Sequence, residues 1–368
     1  MIRTIFLSLI LLIGVAGWAQ TQQSSNVPQQ SANASQQSVT ALQQSANESH
    51  QNATKESLAT ARSYSQYGDF DNAIIVLSRA LRNEPENMDL QKDIAMNYFL
   101  KRDYAKAKEF TTRLTDRTDA DVVCFQLAGN IYKALAETKD CEKIYKKGLK
   151  KFPQSGPLYS EFGELLWEEK DATAIEQWEL GIKKDPSYSG NYYNAALFYF
   201  YTTDKIWSTI YAEIFVNMES RSERGEAMRK LLWQSYKEKL LNNPDLMKGE
   251  EKNKNEFEKA YLTTLNNHTS LADKGINIES ITMIRTRFIL DWFTKYAEKF
   301  PFKLFDYQQQ LLKSGLFNAY NQWLFGDADN HTSFENWVKI NNEEYLKFIQ
   351  LQQNRIFKMP EGQHYQSR

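Results

Sequence analysis

Tyr64-Ser-Gln-Tyr-Gly68-Asp-Phe-Asp-Asn-Ala73-Ile-Ile-Val-Leu77-Ser-Arg-Ala80-Leu-Arg-Asn-Glu-Pro85 decides the fold of this chain, because its small and aromatic positions return at a fixed interval. Thirty-four residues after Ala61, Tyr64 and Ala73 stand Ala95, Tyr98 and Ala107, and thirty-four further on stand Gly129, Tyr132 and Cys141. Tyr145, Gly148 and Pro153 complete that third unit. A fourth has Gly163, Leu166, Ala174, Trp178, Gly181 and Pro186, one residue short at its turn. A fifth, from about Ser189, keeps Ala196, Tyr199 and Ala212 but lacks a closing proline. Two antiparallel helices approach closely only where side chains are small, which places Ala61, Ala73, Gly129 and Cys141 at helix–helix contacts. The tyrosines then fill the gap to the neighbouring unit. Pro85, Pro153 and Pro186 end second helices, since proline has no backbone donor to continue them.

The period and the offsets resemble the tetratricopeptide repeat (TPR), over about Ala53 to Ser222. That resemblance implies a TPR helical-hairpin solenoid of about five repeats over residues 58–222; with the helical periodicity that resumes beyond it, the expected fold is all-α, with a C-terminal all-helical domain over 223–368. The resemblance also implies a concave surface lined by the first helices, through repeat positions 2, 5, 9, 12 and 13. Read onto this sequence, those positions give Lys92, Met96 and Phe99, then Gln126, Asn130 and Lys133, then Glu164 and Trp167, then Tyr193, Leu197 and Tyr201. Rings, a methionine and amides suit an extended or helical peptide, so the partner implied is a polypeptide. The clamp by which some TPR proteins hold chaperone C-termini is not matched: Met96 falls where Asn is wanted, and Glu161 where a base is wanted. Longer strings, such as Lys205-Ile-Trp-Ser-Thr-Ile-Tyr211, Thr282-Met-Ile-Arg-Thr-Arg-Phe288 and Pro301-Phe-Lys-Leu-Phe-Asp-Tyr307, resemble exported, uncharacterised repeat proteins of Bacteroidetes. This implies a bacterial envelope location and brings no activity with it.

On either side of the repeats the reading rests on composition. Arg3, an apolar run from Ile5 to Val15, and small residues at Ala16, Gly17 and Ala19 have the layout of a secretory signal peptide over 1–19. The run is too short for the ~20 residues a bilayer span needs. No membrane span is expected after cleavage, and the expected location is the periplasm or cell envelope. Residues 20–57 are dominated by Gln, Ser, Asn, Ala and Thr, with Gln-Gln-Ser recurring at seven-residue spacing. Such a segment buries too little to offset its ordering entropy, so a disordered spacer is expected, with transient helix near its end. C-terminal to the repeats, helical periodicity resumes over 226–241, 256–266, 277–300, 306–313, 317–325, 333–339 and 343–357, after a polar break at 242–255. No alternating run argues for a strand.

Charge and motif content narrow the function. With 45 Lys and Arg against 46 Asp and Glu, the chain is near neutral. It gives no reason to expect nucleic-acid binding, which needs a concentrated basic surface. There is no phosphate loop, nucleophile elbow or His-Glu-x-x-His pair. His50, His268, His331 and His364 are scattered, without metal-ligand spacing. Asp327 and Asp329 open a calcium-like pattern that fails at Thr332 and Val338. No catalytic residue, metal or cofactor is therefore expected. Cys124 and Cys141 fall too far apart in the repeat register to bridge and read as buried thiols.

Two features remain open to more than one reading. Arg285 and Arg287 form either a candidate anion site or a structural ion pair, through Arg287 and Asp291 at i,i+4. The aromatics dense from Phe288 to Phe357 form either a ring-lined groove or a core. The expected function is a non-enzymatic adaptor holding a polypeptide in the repeat groove. The alternatives are a ligand-binding or catalytic C-terminal domain, and a structural subunit of an envelope or secretion assembly.

Overall fold

The computed structural model describes residues 51–202, 205–242 and 254–366. The expected leader and residues 20–50 of the expected spacer lie outside the described residues. By contacts the chain falls into two units, Met1–Thr60 and Ala61–Arg368. Residues 51–60, the described part of the first unit, are helical. Residues 51–57 of the expected spacer, at the end where transient helix was expected, belong to this helix, and Ala53, Lys55 and Glu56 are good helix formers there.

The second unit opens with five helical hairpins. Helical residues 61–66 (α1) precede α2 (Phe70–Asn83); then come α3 (Met88–Leu100) with α4 (Tyr104–Asp116), α5 (Val122–Ala134) with α6 (Thr138–Lys151), α7 (Gly156–Glu168) with α8 (Ala174–Lys184), and α9 (Ser189–Tyr201) with α10 (Lys205–Met218). Among the described residues every regular element is helical. In each of the first four hairpins the turn is made by one residue in the left-handed region at the same repeat position: Gly68 (φ 76°), Arg102 (φ 67°), Ala136 (φ 56°) and Lys170 (φ 62°). An acidic residue follows each of them. Asp69 and Asp103 cap the next helix through backbone amides at 3.2 and 3.3 Å. In the fourth unit, Asp171 instead bonds the amide and hydroxyl of Thr173, and α8 starts late, at Ala174. The missing residue is absorbed there.

The small positions do what their size requires. Ala61, Ala73, Ala95, Ala107, Ala174 and Ala196 are fully buried. Gly129 and Gly163 each receive a ring from the second helix: a Cβ at 129 would lie 2.3 Å from the Tyr145 hydroxyl, and one at 163 would lie 2.3 Å from Trp178 Nε1. Glycine at these positions lets the backbone of the first helix serve as the floor for an aromatic ring. Cys124 and Cys141 are free and buried, as expected. Burial pushes both thiols up to about 11.

Beyond the hairpins lie α11 (Glu223–Gln234), continued by a π-turn over Ser235–Leu240, then α12 (Glu256–Asn266), α13 (Ile278–Lys295) and α14 (Lys303–Lys313). The chain goes on through α15 (Phe317–Asn321), a second π-turn (Gln322–Gly326), α16 (Asp327–Asp329), α17 (His331–Ile340) and α18 (Asn342–Gln353). Asn255 and Asn277 close capping boxes at the starts of α12 and α13. The helix expected over 277–300 stops at Lys295, and the one expected to reach 357 stops at Gln353. Phe357 and Met359 are instead buried in an extended tail.

The boundary expected near residue 222 is not marked by a break in the core. One apolar cluster runs from Ala174 through α9 and α10 to Met359, so the last two hairpins share their interior with the helices beyond them. A smaller cluster joins the third hairpin to Leu158, Phe162 and Leu165 of α7.

Candidate partner-binding face

Successive first helices lie against one another, α3 on α5, α5 on α7 and α7 on α9, whereas contact between successive second helices is sparse. The first helices therefore form the inner, more crowded layer of a curved stack, and the second helices fan out behind them. Polar side chains bridge that inner layer from unit to unit. Arg62 Nε donates to Asp93 at 3.0 Å, and Ser65 Oγ to Asn97 at 2.6 Å. Lys92 Nζ reaches Asp121 at 2.7 Å and Asp89 at 2.9 Å. Gln126 Nε2 donates to Glu161 at 2.6 Å, and Asn194 Nδ2 to Glu164 at 2.9 Å. Each bond from unit to unit spans about one repeat of sequence. These hairpins are tetratricopeptide repeats.

No family model matches the TPR chain, and no curated protein matches it. Solved structures do. TTC0263, a TPR protein of Thermus thermophilus, is 14% identical over 49% of this chain and 98% of its own, at a TM-score of 0.41. A tetratricopeptide repeat protein from Parabacteroides merdae is 14% identical over 64% of this chain and 92% of its own, at 0.39. YrrB, a TPR protein with an unusual peptide-binding site, is 16% identical over 51% of this chain and 97% of its own, at 0.35. Likeness this loose carries no partner or activity across.

The eleven residues expected to line the groove divide into three kinds. Lys92, Gln126 and Glu164 are half-buried struts between repeats, their polar ends already occupied by the bonds above. Burial works against the charge on Lys92, but Asp121 and Asp89 outweigh it and raise its pKa; Asp121 is lowered in turn. Phe99, Tyr193 and Leu197 are packed. Phe99 lies 5.7 Å from the Tyr104 ring, while Tyr193 sits 5.0 Å from Phe215 with the Arg224 guanidinium over it. Leu197 packs on the large core. Tyr193 and Leu197 are withdrawn from an open groove because α10 and α11 close the end of the stack, which a repeat-by-repeat reading cannot anticipate.

Met96, Trp167 and Tyr201 remain open, 39%, 45% and 72% exposed, with half-buried Asn130 and Lys133 between the first two along the stack. Trp167 is held by rings below it, Phe198 at 5.4 Å and Trp178 at 6.3 Å. An indole fixed from beneath and open above is a ready contact surface, because little side-chain entropy remains to be lost when a partner covers it. Glu161 lies beside this strip. Burial raises its carboxyl pKa above the usual range, while bonds from Gln126 and Tyr145 oppose that rise.

The candidate anion site is not assembled. Arg285 and Arg287 lie two residues apart on α13, roughly 200° around the helix. Arg287 is exposed, whereas Arg285 is 3% exposed and clasped by Glu213 of α10, Nη1 to Oε2 at 2.8 Å and Nη2 to Oε1 at 2.5 Å. Gln308 Nε2 and Tyr320 Oη also donate to Glu213 Oε1, at 2.6 and 2.7 Å. The ion pair expected between Arg287 and Asp291 is replaced: Asp291 takes Lys295 and His268, each at 3.2 Å. Beside Arg285 there is a closed cavity of about 10 Å³, room for about one water.

The expected aromatics form no ring-lined groove in this part either. Trp292, Phe300, Phe302, Phe305, Tyr307, Tyr320 and Phe325 are buried in the core, with Trp323 and Trp337 half-buried at its edge. The acidic turn serves packing: Asp327 bonds His331 at 2.6 Å, and Asp329 accepts the Ile278 amide at 3.0 Å. Among the described residues, no three His, Cys, Asp or Glu side chains are grouped to hold a metal ion. No described helix is long and apolar enough to cross a membrane.

Two buried polar centres escaped sequence reasoning. One is the Glu213–Arg285 cluster, for which a signal existed: Glu213 is the sole acidic residue in the mostly apolar α10. The other is Glu179 of α8, which accepts Tyr199 Oη at 2.6 Å and Tyr211 Oη at 2.8 Å and bonds His364 Nε2 at 2.6 Å. Nothing local marks His364 as its partner, 185 residues away.

Proposed function

We propose that this chain is a non-catalytic scaffold of the bacterial envelope that holds a polypeptide along the inner face of its repeats. The observation that carries the reading is three open side chains, Met96, Trp167 and Tyr201 on α3, α7 and α9, with polar Asn130 and Lys133 between the first two and polar struts bonding unit to unit. Large side chains held in place before binding are the usual anchors of a protein interface. The partner fits as an extended or helical segment offering apolar side chains at intervals of about one repeat. The layout of residues 1–19 supports export, and the balanced composition supports a protein partner over a nucleic acid. The filled core and the closed cavity beside Arg285 favour this reading over a ligand-binding or catalytic C-terminal part.

The test is co-purification from a bacterial envelope after mild cross-linking, with the parent beside a Met96→Ala/Trp167→Ala/Tyr201→Ala variant. All three side chains are at least one-third exposed, so the variant is expected to fold. A specific protein retained by the parent and lost by the variant supports the scaffold reading. Identical retention by both would sink it.

A further inference from the structure

The near-neutral charge of the whole chain conceals a segregation that the hairpins create. The second helices α2, α4, α6 and α8 carry thirteen Lys and Arg against seven Asp and Glu, whereas the first helices α3, α5, α7 and α9 carry two against five. The outer layer is thus basic by six charges and the inner layer acidic by three.

Local pairing sharpens the imbalance. On the second helices Lys101 neutralises Asp71, and Arg113, Lys147, Lys143 and Lys146 neutralise Glu109, Asp116, Asp140 and Glu142. Glu179 is buried on His364. What remains without an ion-pair partner among the described residues is seven exposed cations, Arg79, Arg82, Lys139, Lys150, Lys151, Lys183 and Lys184, against Glu176 alone; Lys151 donates to the Arg117 and Thr118 carbonyls. Helix dipoles account for a base in the last turn. They do not account for Arg79 and Lys147, which with the last-turn Arg113 stand at one repeat position in three successive units; Arg82, Lys150 and Lys183 are last-turn bases at a second position, which Asp116 occupies in the second unit.

The rows begin at a cleft. Where α2 and α4 fan apart, a hollow of about 460 Å³ is lined by Leu81, Pro85 and Phe110 together with Arg82 and Arg113. Arg113 is held in place by Glu109 at 2.8 Å and by the Phe110 ring beneath it at 5.0 Å; Arg82 is uncommitted. Two guanidiniums over an apolar floor match a planar anion carried on an apolar backbone. Ile75 and Leu180, 46% and 40% exposed on α2 and α8, extend that mixed character.

We propose that the outer face of the first four hairpins is a second docking surface, and that its partner is an acidic protein segment with interspersed apolar residues, its carboxylates seated on Arg82 and Arg113 and on the row through Lys150 and Lys183. Charge complementarity names the partner's sign, and the apolar walls of the cleft select a peptide over a phosphate polymer. Base stacking is not offered, since the Phe110 ring is already covered by Arg113. A convex row also meets a flat lipid surface at few points. This surface lies on the opposite layer from the Met96, Trp167 and Tyr201 side chains, so either could exist without the other.

The test uses the full chain and three probes: a fluorescent synthetic peptide of Glu and Leu, a single-stranded oligonucleotide, and phosphatidylglycerol vesicles. The parent is expected to bind the peptide, more weakly as salt rises from about 50 to about 300 mM. Arg82→Glu/Lys150→Glu/Lys183→Glu should weaken binding about tenfold or more, and Met96→Ala/Trp167→Ala/Tyr201→Ala should leave it unchanged. If the charge-reversed variant does not fold, Arg82→Gln/Lys183→Gln replaces it, with a loss of about threefold expected. No peptide binding by the parent, or binding unaffected by either set of outer-face changes, overturns the proposal. So does binding of the oligonucleotide or the vesicles in place of the peptide.

Discussion

Arg285 and Glu213 meet as a two-pronged ion pair in the middle of the fold, although seventy-two residues separate them in sequence. Burial alone would weaken the guanidinium as a base, but the adjoining carboxylate more than offsets that and raises its pKa. The rings of Tyr236, Phe317, Tyr320 and Phe325 surround the cation, at 5.1 to 5.8 Å from their centroids. Removing one partner leaves the other as an uncompensated buried charge. Glu213→Ala is therefore expected to cost about 3–5 kcal/mol in urea unfolding, while Glu213→Leu/Arg285→Met together should cost clearly less than Glu213→Ala. A double variant at least as damaged as the single one would show that the pair contributes more than its own neutralisation.

Gly163 and Trp178 make a sharper prediction about packing. A methyl group at 163 would fall 2.3 Å from the indole nitrogen, which also donates to the Ser160 carbonyl at 3.1 Å. Gly163→Ala must push the ring and break that bond, for an expected loss of about 1–3 kcal/mol. Gly68→Ala meets no atom within 4 Å but inherits a φ of 76°, and should lose about 1–2 kcal/mol through the backbone alone. Thermal unfolding of the two variants ranks them, and tryptophan fluorescence should shift for Gly163→Ala only.

Glu161 provides a pH test. Its folded-state carboxyl is raised, chiefly by burial, so the folded chain holds that proton more tightly than the unfolded chain does. The sign follows from linkage: the contribution to stability is fully present below the unfolded pKa, and it is lost as pH rises through the raised folded value. Glu161→Gln, which keeps an acceptor for Gln126 and Tyr145, should gain on the parent in melting temperature at pH 7.5. That advantage should vanish near pH 4. An advantage independent of pH would assign the effect to packing instead.

The C-terminal tail ties distant parts together through Tyr365. Its ring stacks on Phe257 at 4.6 Å, its hydroxyl donates to the Pro301 carbonyl at 2.8 Å, and its own carbonyl accepts from Asn255 at 2.8 Å. The adjacent His364 reaches Glu179, and Gln366 donates to Tyr199 at 3.0 Å. Tyr365→Ala is expected to cost about 2–4 kcal/mol and to speed hydrogen exchange in α9 and α12 more than in α3 and α4. Uniform acceleration across all four helices would mean that the tail stabilises the whole stack rather than its far end.

The helical class, the repeat period and the pairing of α1–α10 into hairpins were legible because the contacts responsible join residues within about one period. Small positions such as Ala73 and Gly129 and ring positions such as Tyr145 carry that information locally, and the prolines mark where the second helices stop. The candidate binding face was legible only in part. The resemblance to the tetratricopeptide repeat implies which positions of a first helix face the concave side, and on that basis Met96, Trp167 and Tyr201 were placed on the inner face. It does not say what comes to rest on that side afterwards. Tyr193 and Leu197 were covered by α10 and α11, and Lys92, Gln126 and Glu164 were drawn into bonds between units. Arg285 and Arg287, two residues apart on one helix, already face opposite sides of it; the assembled fold decided that one side meets Glu213 and the other water. The fate of a polar side chain depends on the desolvation imposed by whatever covers it and on a partner that can be nearly two hundred residues away. Those are properties of the assembled fold, and no stretch of this sequence contains them.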